Sequence, residues 1–295
     1  MRKKIKTIGK KFIQRPIKRV VTDSLEIQLN HRIDALERNL KFLNLYLLRQ
    51  QYSRDIDLDQ RTTLRGNEFK VFSQNGEDGI LLYMFSKIGT TNRTFVEFGI
   101  QNGKECNTAN LSLNFGWNGL LMDCDENCIA KAKEYYNPIP RVKIAQHFIT
   151  AENINKILLE NEVKGEIDLL SVDIDGNDYW VFKAINAVKP RVVMIEYNAV
   201  LGTDKSLTVD YDPNFVIEGH YYGASLPALA KLANSKGYRL VGCESSGTNS
   251  FFLREDLLSK DLHEVSVEEA YYPSLYEKSM SYYYELVKDR KWTEV

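Results

Sequence analysis

The sequence predicts an α/β protein whose mostly parallel sheet carries helices on both faces and ends in an antiparallel C-terminal hairpin strand. From residue 79 onward, short apolar runs alternate with amphipathic runs. The apolar runs lack the polar and apolar alternation of a strand with one wet face, which indicates strands buried on both sides. A Gly-containing turn alone separates the last two apolar runs, and this is the pattern of a hairpin.

The predicted elements follow from this alternation. The period and length of the apolar positions place helices at residues 79–88, 126–136, 151–161, 178–185 and the first part of 225–245. Runs rich in β-branched and aromatic residues place strands at residues 93–99, 117–123, 141–148, 167–175 and 190–198, late in 225–245, and in 246–256.

Length and composition favour one large globular domain with an appendage. The chain has 295 residues, of which 43% are hydrophobic and 27% charged, and it contains no apolar run of about 18 residues. Its N-terminus lacks the features of a secretory signal, so a cytoplasmic protein is expected. We predict an N-terminal arm and extension at residues 1–70, a catalytic domain at 71–256 and a helical tail at 257–295.

The first 20 residues form a basic arm with nine Lys or Arg and no acid. Its apolar side chains have helical spacing, which fits a helix lying on an anionic membrane surface, such as the inner face of the membrane, or bound to an acidic polymer. A solvated terminus would give the same pattern. The apolar side chains are Ile5, Ile8, Phe12 and Ile13.

A short heptad-like seam follows the arm and predicts a helical extension. Its spacing of four and three residues fits helix pairing in a homodimer, and packing on the chain's own core explains it equally well. The seam consists of Leu29, Ile33, Leu36, Leu40, Leu43 and Leu47.

Acidic side chains stand at the ends of four predicted strands. In an open α/β sheet, ligands bind outside the carboxyl ends of the strands. Several negative charges along one rim are costly unless they bind hydroxyls, a cation or a positively charged ligand. These acids are Glu97, Asp123, Asp173 with Asp175, and Glu196.

Asp123 stands where an acid can bind both ribose hydroxyls, although it could instead cap the helix at 126–136. The preceding loop, GIQNGKECNT, lacks the third glycine and the tight spacing that seat a pyrophosphate, which disfavours a dinucleotide. A ligand with an adenosine, an amino acid end and a positive sulfonium would suit a glycine turn flanked by carboxylates.

Taken together, several segments resemble the FkbM-type group of class I S-adenosylmethionine-dependent methyltransferases. The resemblance covers about residues 70 to 255 and rests on FSQNGEDGIL, FVEFGIQNGKECNTANL, GLLMD, DLLSVDIDGNDYWVFKAI, VVMIEYN and GTNSFFLRED. It implies a Rossmann-like fold with a seven-stranded sheet. It also implies O-methylation of a hydroxyl on a sugar, nucleotide-sugar or glycan in polysaccharide or glycoside biosynthesis, with S-adenosylmethionine as the cofactor.

The resemblance also implies roles for individual residues. Asp123 corresponds to the ribose acid, and Asp173 lies where such enzymes often hold the methionine amino group. Gln101 replaces the second glycine of the family's first motif, which puts the contacts of that loop in doubt. The expected cofactor-binding residues are Gln74, Glu97, Gly99, Gly103, Asn107, Asp123 and Asp173, with Ser73, Gly76, Glu77 and Asp78 as neighbours of Gln74.

Methyl transfer to a sugar hydroxyl needs a general base or a divalent cation that lowers the hydroxyl's pKa. Asp175 would share a strand face with Asp173 and is the first candidate for base or metal ligand. Glu196 and Asn198 could complete an all-oxygen set suited to Mg²⁺ or Mn²⁺. His220, in the polar insertion at residues 199–222, is a further catalytic candidate.

Two other functions remain open from the sequence. An NAD-dependent oxidoreductase is disfavoured by the loop chemistry, whereas a non-catalytic methyltransferase-like binding module would use the arm and the seam to hold partners. A nucleic-acid methyltransferase ranks low because the chain beyond the arm is acidic. We therefore expect no nucleic-acid partner.

Overall fold

A computed structural model of the chain describes residues 64–295 apart from residue 277, together with Leu36. The described residues from 64 onward belong to one compact unit, Leu58–Val295. The basic arm and the heptad-like seam lie outside the described residues except for Leu36, which is helical and 67% exposed. None of the helices in the described ranges is long and apolar enough to cross a membrane.

Nine strands are present among the described residues. They are β1 (Thr94–Phe98), β2 (Asn118–Asp123), β3 (Val142–Gln146), β4 (Gly165–Val172), β5 (Val188–Glu196), β6 (Leu207–Val209), β7 (Tyr238–Cys243), β8 (Asn249–Arg254) and β9 (Trp292–Glu294). The α-helices of the same residues are α1 (Glu77–Ile88), α2 (Ala109–Phe115), α3 (Glu126–Tyr136), α4 (Ile154–Glu160), α5 (Asp178–Ala184), α6 (Leu226–Ser235), α7 (Val267–Ala270) and α8 (Met280–Val287).

Seven of these strands form one sheet in the order β3-β2-β1-β4-β5-β8-β7. The first five are parallel, and β8 runs antiparallel between β5 and β7. The chain reverses its direction of travel across the sheet between β1 and β4, where an open α/β sheet forms its ligand crevice. The predicted α/β fold, with a mostly parallel seven-stranded sheet and an antiparallel C-terminal hairpin strand, is confirmed.

Both faces of the sheet are buried, as the apolar strands predicted. On β1, Val96 and Phe98 belong to one hydrophobic core, whereas Phe95 belongs to the core on the opposite face. On β4, Leu170 belongs to the first of these cores and Leu169 to the second. Because successive side chains of a strand point to opposite faces, each central strand supplies both cores.

Three elements differ from the sequence-based prediction. Helix α2 was not predicted, and neither was the small antiparallel sheet formed by β6 and β9. The tail at 257–295, predicted as helical, therefore contains α7, α8 and also a strand. Strand β9 has only three residues and pairs with a segment far away in the chain, so no local pattern marks it.

A buried ion pair stabilises the edge of the sheet that lies opposite the strand-end acids. Arg191 donates to a carboxylate oxygen of Asp168 at 2.8 Å and to the carbonyls of Ile88 and Gly89. The same carboxylate accepts the backbone N–H groups of residues 91–93. Although burial alone would raise it, these hydrogen bonds lower the pKa of Asp168.

Replacing Asp168 with Ala should lower the free energy of unfolding by about 3–5 kcal/mol, because Arg191 would stay buried without its anion. Urea denaturation measures the loss. The matched control is Glu166→Ala, which removes an exposed partner of Arg254 and should cost about 0–1 kcal/mol. Because its pKa is lowered, the contribution of Asp168 is present above the ordinary aspartate pKa and declines as the pH falls. Similar losses in the two variants would contradict the prediction.

Candidate functional site

The loop after β1 is pressed against the loop after β4. Gly99 has φ = 81°, and a Cβ at this position would lie 1.5 Å from the carbonyl oxygen of Asp173. The N–H of Gly99 donates to the carbonyl of Met122 at the end of β2. Only glycine fits this approach, so the residue that the sequence singled out joins three strand ends.

Glu97 is buried at the end of β1 and folds the loop that follows. Its carboxylate accepts the N–H of Asn107 at 2.8 Å and the N–H of Thr108 at 2.9 Å. The hydroxyl of Thr108 donates a further hydrogen bond. Burial raises the pKa of Glu97, and these donors oppose that effect.

Asp123 ends β2 half-buried beside the same loop. Its carboxylate accepts the N–H of Gln101 at 2.7 Å and the N–H of Asp125 at 2.9 Å. The alternative role as cap of α3 is wrong for this residue, because Asp125 is the N-cap and accepts the N–H of Cys128. Each oxygen of Asp123 keeps a lone pair for another donor.

The segment before α1 is held by the two acids that begin this helix. Asp78 accepts the N–H groups of residues 71–73, and Glu77 accepts those of Asn75 and Gly76. Glu77 also accepts the side-chain amide of Asn249 at 2.8 Å. This bond ties the segment to the start of β8.

A pocket lies between these segments at the carboxyl edge of the sheet. Five of the seven expected cofactor-binding residues line it, namely Gln74, Glu97, Gly99, Asn107 and Asp173. Asp123 adjoins the lining through its hydrogen bond to Gln101, which is itself part of the lining. Gly103 lies behind the pocket, where a Cβ would meet the side chains of Tyr136 and Ala132 on α3.

Thr248 and Asn249 also line the pocket and were not predicted as site residues. Their strand was predicted, but neither residue type signals a role. The signal lies in the topology. Because β8 runs antiparallel to β5, its first residue pairs with the last residue of β5, Glu196, at the ligand edge.

Three carboxylates come together beside the pocket. One oxygen from each of Asp173, Asp175 and Glu196 lies within 4.8 Å of the others. Oε2 of Glu196 is buried and has no hydrogen-bond partner among the described residues. Burial, followed by the charges of neighbouring acids, raises the pKa of Asp173 and of Glu196 well above the ordinary range. We call these residues the acid cluster.

The structure corrects the reason for pairing Asp175 with Asp173. Strand β4 ends at Val172, so the two acids do not share the face of an extended strand. Asp175 has φ = 56° within a turn that Asp178 holds by accepting the N–H groups of Ile174 and Gly176. The turn, rather than the strand period, brings Asp175 to the acid cluster.

Asn198 is engaged in folding the insertion. Its amide oxygen accepts the N–H of Val200, and its NH₂ group donates to the carbonyls of His220 and Tyr222. The bond from Val200 engages the amide oxygen that was expected as a cation ligand. The imidazole of His220 packs on the rings of Tyr276 and Tyr283, and burial lowers its pKa.

Solved structures similar to this chain have TM-scores of about 0.4. The N-terminal domain of EvdMO1 with SAH bound has a TM-score of 0.40 and 13% identity, over 62% of this chain and 80% of its own. An S-adenosylmethionine-dependent methyltransferase from Clostridium acetobutylicum ATCC 824 has a TM-score of 0.38 and 13% identity, over 72% of this chain and 98% of its own. An O-methyltransferase from Bacillus cereus in complex with SAH has a TM-score of 0.39 and 15% identity, over 73% of this chain and 88% of its own.

A search of curated proteins found no match. A family model described as the methyltransferase FkbM domain matches residues 64–240, which is more than half of the chain and includes α1 through the start of β7. The match begins at the described residues that precede α1 and includes the acid cluster and the loop after β1 at residues 99–108, which we call the glycine loop. The chain therefore belongs to the FkbM family of S-adenosylmethionine-dependent methyltransferases.

Proposed function

We propose that this protein is an O-methyltransferase that transfers the methyl group of S-adenosylmethionine to a hydroxyl of a sugar or glycan. The observation that carries the proposal is the position of Asp173. This residue lines the pocket beneath the glycine loop and also belongs to the acid cluster. A methyl donor in the pocket and a hydroxyl at the acid cluster would therefore meet, as an in-line displacement requires.

The pocket suits both polar ends of S-adenosylmethionine. The free lone pairs of Asp123 can accept the ribose hydroxyls. Oδ1 of Asn249 is buried without a hydrogen-bond partner in the described part of the chain, and together with Asp173 it can accept the ammonium group of the methionine end. When bound, the cofactor supplies a methyl group activated by its positive sulfonium.

The acid cluster suits a hard divalent cation such as Mg²⁺ or Mn²⁺. Asp173, Asp175 and Glu196 supply oxygens only, which these ions prefer, and Oε2 of Glu196 is buried without a hydrogen-bond partner in the described residues. A cation held there would lower the pKa of an acceptor hydroxyl. In the alternative role, without a cation, Asp175, the most exposed of the three acids, can take the hydroxyl proton as general base.

The remaining partners and the location stay predictions from the sequence. These are a sugar, nucleotide-sugar or glycan as acceptor, contact of the basic arm with a membrane surface, a homodimer through the seam, and a cytoplasmic location at the inner face of the membrane. The catalytic role of His220 also stays a prediction from the sequence.

Asp123→Ala should weaken the binding of S-adenosylhomocysteine by about 10- to 100-fold, because the ribose hydroxyls lose a charged acceptor. Isothermal titration of the full chain measures this loss. Asp125→Ala is the matched control: it removes the cap of α3 two residues away and should leave the affinity within about twofold. If the wild type binds no S-adenosylhomocysteine, the proposed function is wrong.

Mn²⁺ should raise the melting temperature of the metal-free protein by roughly 5 °C or more at saturation. The increase should be larger at pH 8 than at pH 6. Because the pKa values of Asp173 and Glu196 are raised, the metal-free fold loses stability as the pH rises through them, and a cation compensates for that loss. Differential scanning calorimetry at both pH values measures the effect.

The Mn²⁺ shift should disappear in Glu196→Gln and in Asp175→Asn. Glu160→Gln, which removes an exposed carboxylate paired with Lys156, is the matched control and should keep the shift. An unchanged shift in Glu196→Gln would place the cation elsewhere. Transfer of radiolabelled methyl from S-adenosylmethionine to free sugars then tests the reaction itself. D-fucose, which was present with SAH in a structure of the EvdMO1 domain, is one of the acceptors to include.

A further inference from the structure

The tail beyond the family domain runs along the rim of the site. The hydroxyl of Tyr197, next to Glu196, donates to the carbonyl of Tyr272 at 2.7 Å. The hydroxyl of Ser274 donates to the carbonyl of Gly247, where a Cβ would lie 2.6 Å from the tail backbone. Gly247 precedes Thr248, which lines the cofactor pocket. The tail therefore lies against the turn that borders this pocket.

After this contact, the tail contributes to a group of three aromatic rings. The centroids of His220 and Tyr283 are 4.3 Å apart, those of His220 and Tyr276 are 4.8 Å apart, and those of Tyr276 and Tyr283 are 5.0 Å apart. Tyr276 is 38% exposed, so part of its ring is open to a ligand. We call these three residues the aromatic wall.

Tyr222 connects the aromatic wall to the acid cluster. Its buried phenol interacts with the phenol of Tyr276 and with the charge of Glu196, and both raise the pKa of Tyr222 after the larger effect of burial. The side chain of Asn198 fixes the backbone of His220 and Tyr222 from the end of β5. The aromatic wall is thus held on the Glu196 side of the acid cluster.

This arrangement suits a sugar ring better than an anionic lipid surface. Aromatic faces pack on apolar ring faces, and the neighbouring carboxylates accept hydroxyl hydrogen bonds. Exposed apolar residues nearby, such as Leu275 and Leu286, would also suit a membrane. However, the acid cluster adjoining the wall would repel anionic headgroups.

We propose that the aromatic wall is the acceptor subsite, with Tyr276 packing on the apolar face of the sugar ring whose hydroxyl points to the acid cluster. This inference rests on the proposed function and assigns acceptor selection to the tail, outside the matched family domain. It gives His220 the role of a ring surface.

Saturation-transfer difference NMR on the full chain with saturating S-adenosylhomocysteine tests the subsite. The probes are D-fucose, D-galactose, D-glucose, D-mannose and L-rhamnose, each added alone. We expect a signal from at least one sugar with the wild type and a decrease of about fivefold or more with Tyr276→Leu. The matched control, Tyr282→Leu, removes an exposed tyrosine whose ring contacts are with Lys278 and Tyr283, and it should keep the signal.

His220→Phe and His220→Ala test whether the ring of His220 forms part of the sugar-binding surface. His220→Phe should keep the sugar signal, whereas His220→Ala should weaken it. Loss of the signal in His220→Phe to the level of His220→Ala would overturn the role given to His220.

Titration of S-adenosylhomocysteine on the same samples distinguishes the two proposals. Absence of binding to the wild type overturns the proposed function. Normal binding by the wild type and Tyr276→Leu, with no sugar signal from the wild type or an equal signal from both, overturns the subsite alone.

Discussion

The contact between Gly99 and the carbonyl of Asp173 is the constraint on which the site depends. It leaves no space for a side chain at residue 99. Because this residue is glycine, the loops after β1 and β4 can lie directly against each other. The side chain of Asp173 then lines the pocket under the first loop and also meets the other two acids of the acid cluster, Asp175 and Glu196. One backbone contact therefore fixes the distance between the two halves of the proposed reaction.

Some buried acids of this protein differ in their hydrogen bonds. Glu97 and Glu77 each accept backbone N–H groups, and these bonds shape the segments around them. In contrast, Glu196 keeps a buried oxygen without a partner in the described residues, next to another acid of raised pKa. Hydrogen bonds within the fold offset the free-energy cost of burying Glu97 and Glu77. For Glu196, that cost remains until a ligand binds.

The sequence predicted most of the sheet because its signals are local. Apolar runs and glycine turns marked the central strands, and acids marked the ligand edge. The missed helix α2 is short and rich in Asn and Ser, which have weak helical preference. Asp175 lies near Asp173 as expected, but the reason given for it was wrong, since a strand period cannot reveal a left-handed turn. The position of Asn249 at the site follows from the pairing of β8 with β5. The sequence of β8 alone does not reveal that pairing.

The pairing of β6 with β9 has a consequence for the order in which the chain can fold. Strands β1, β2 and β3 pair in chain order, as do β4 and β5, and such contacts become available early during synthesis. In contrast, β6 can contact residues 223–225 early but gains its partner strand only with residues 292–294. The nascent chain therefore holds the residues of the cofactor pocket before it can complete the small sheet, and this late contact adds a long loop to the topology, which slows folding.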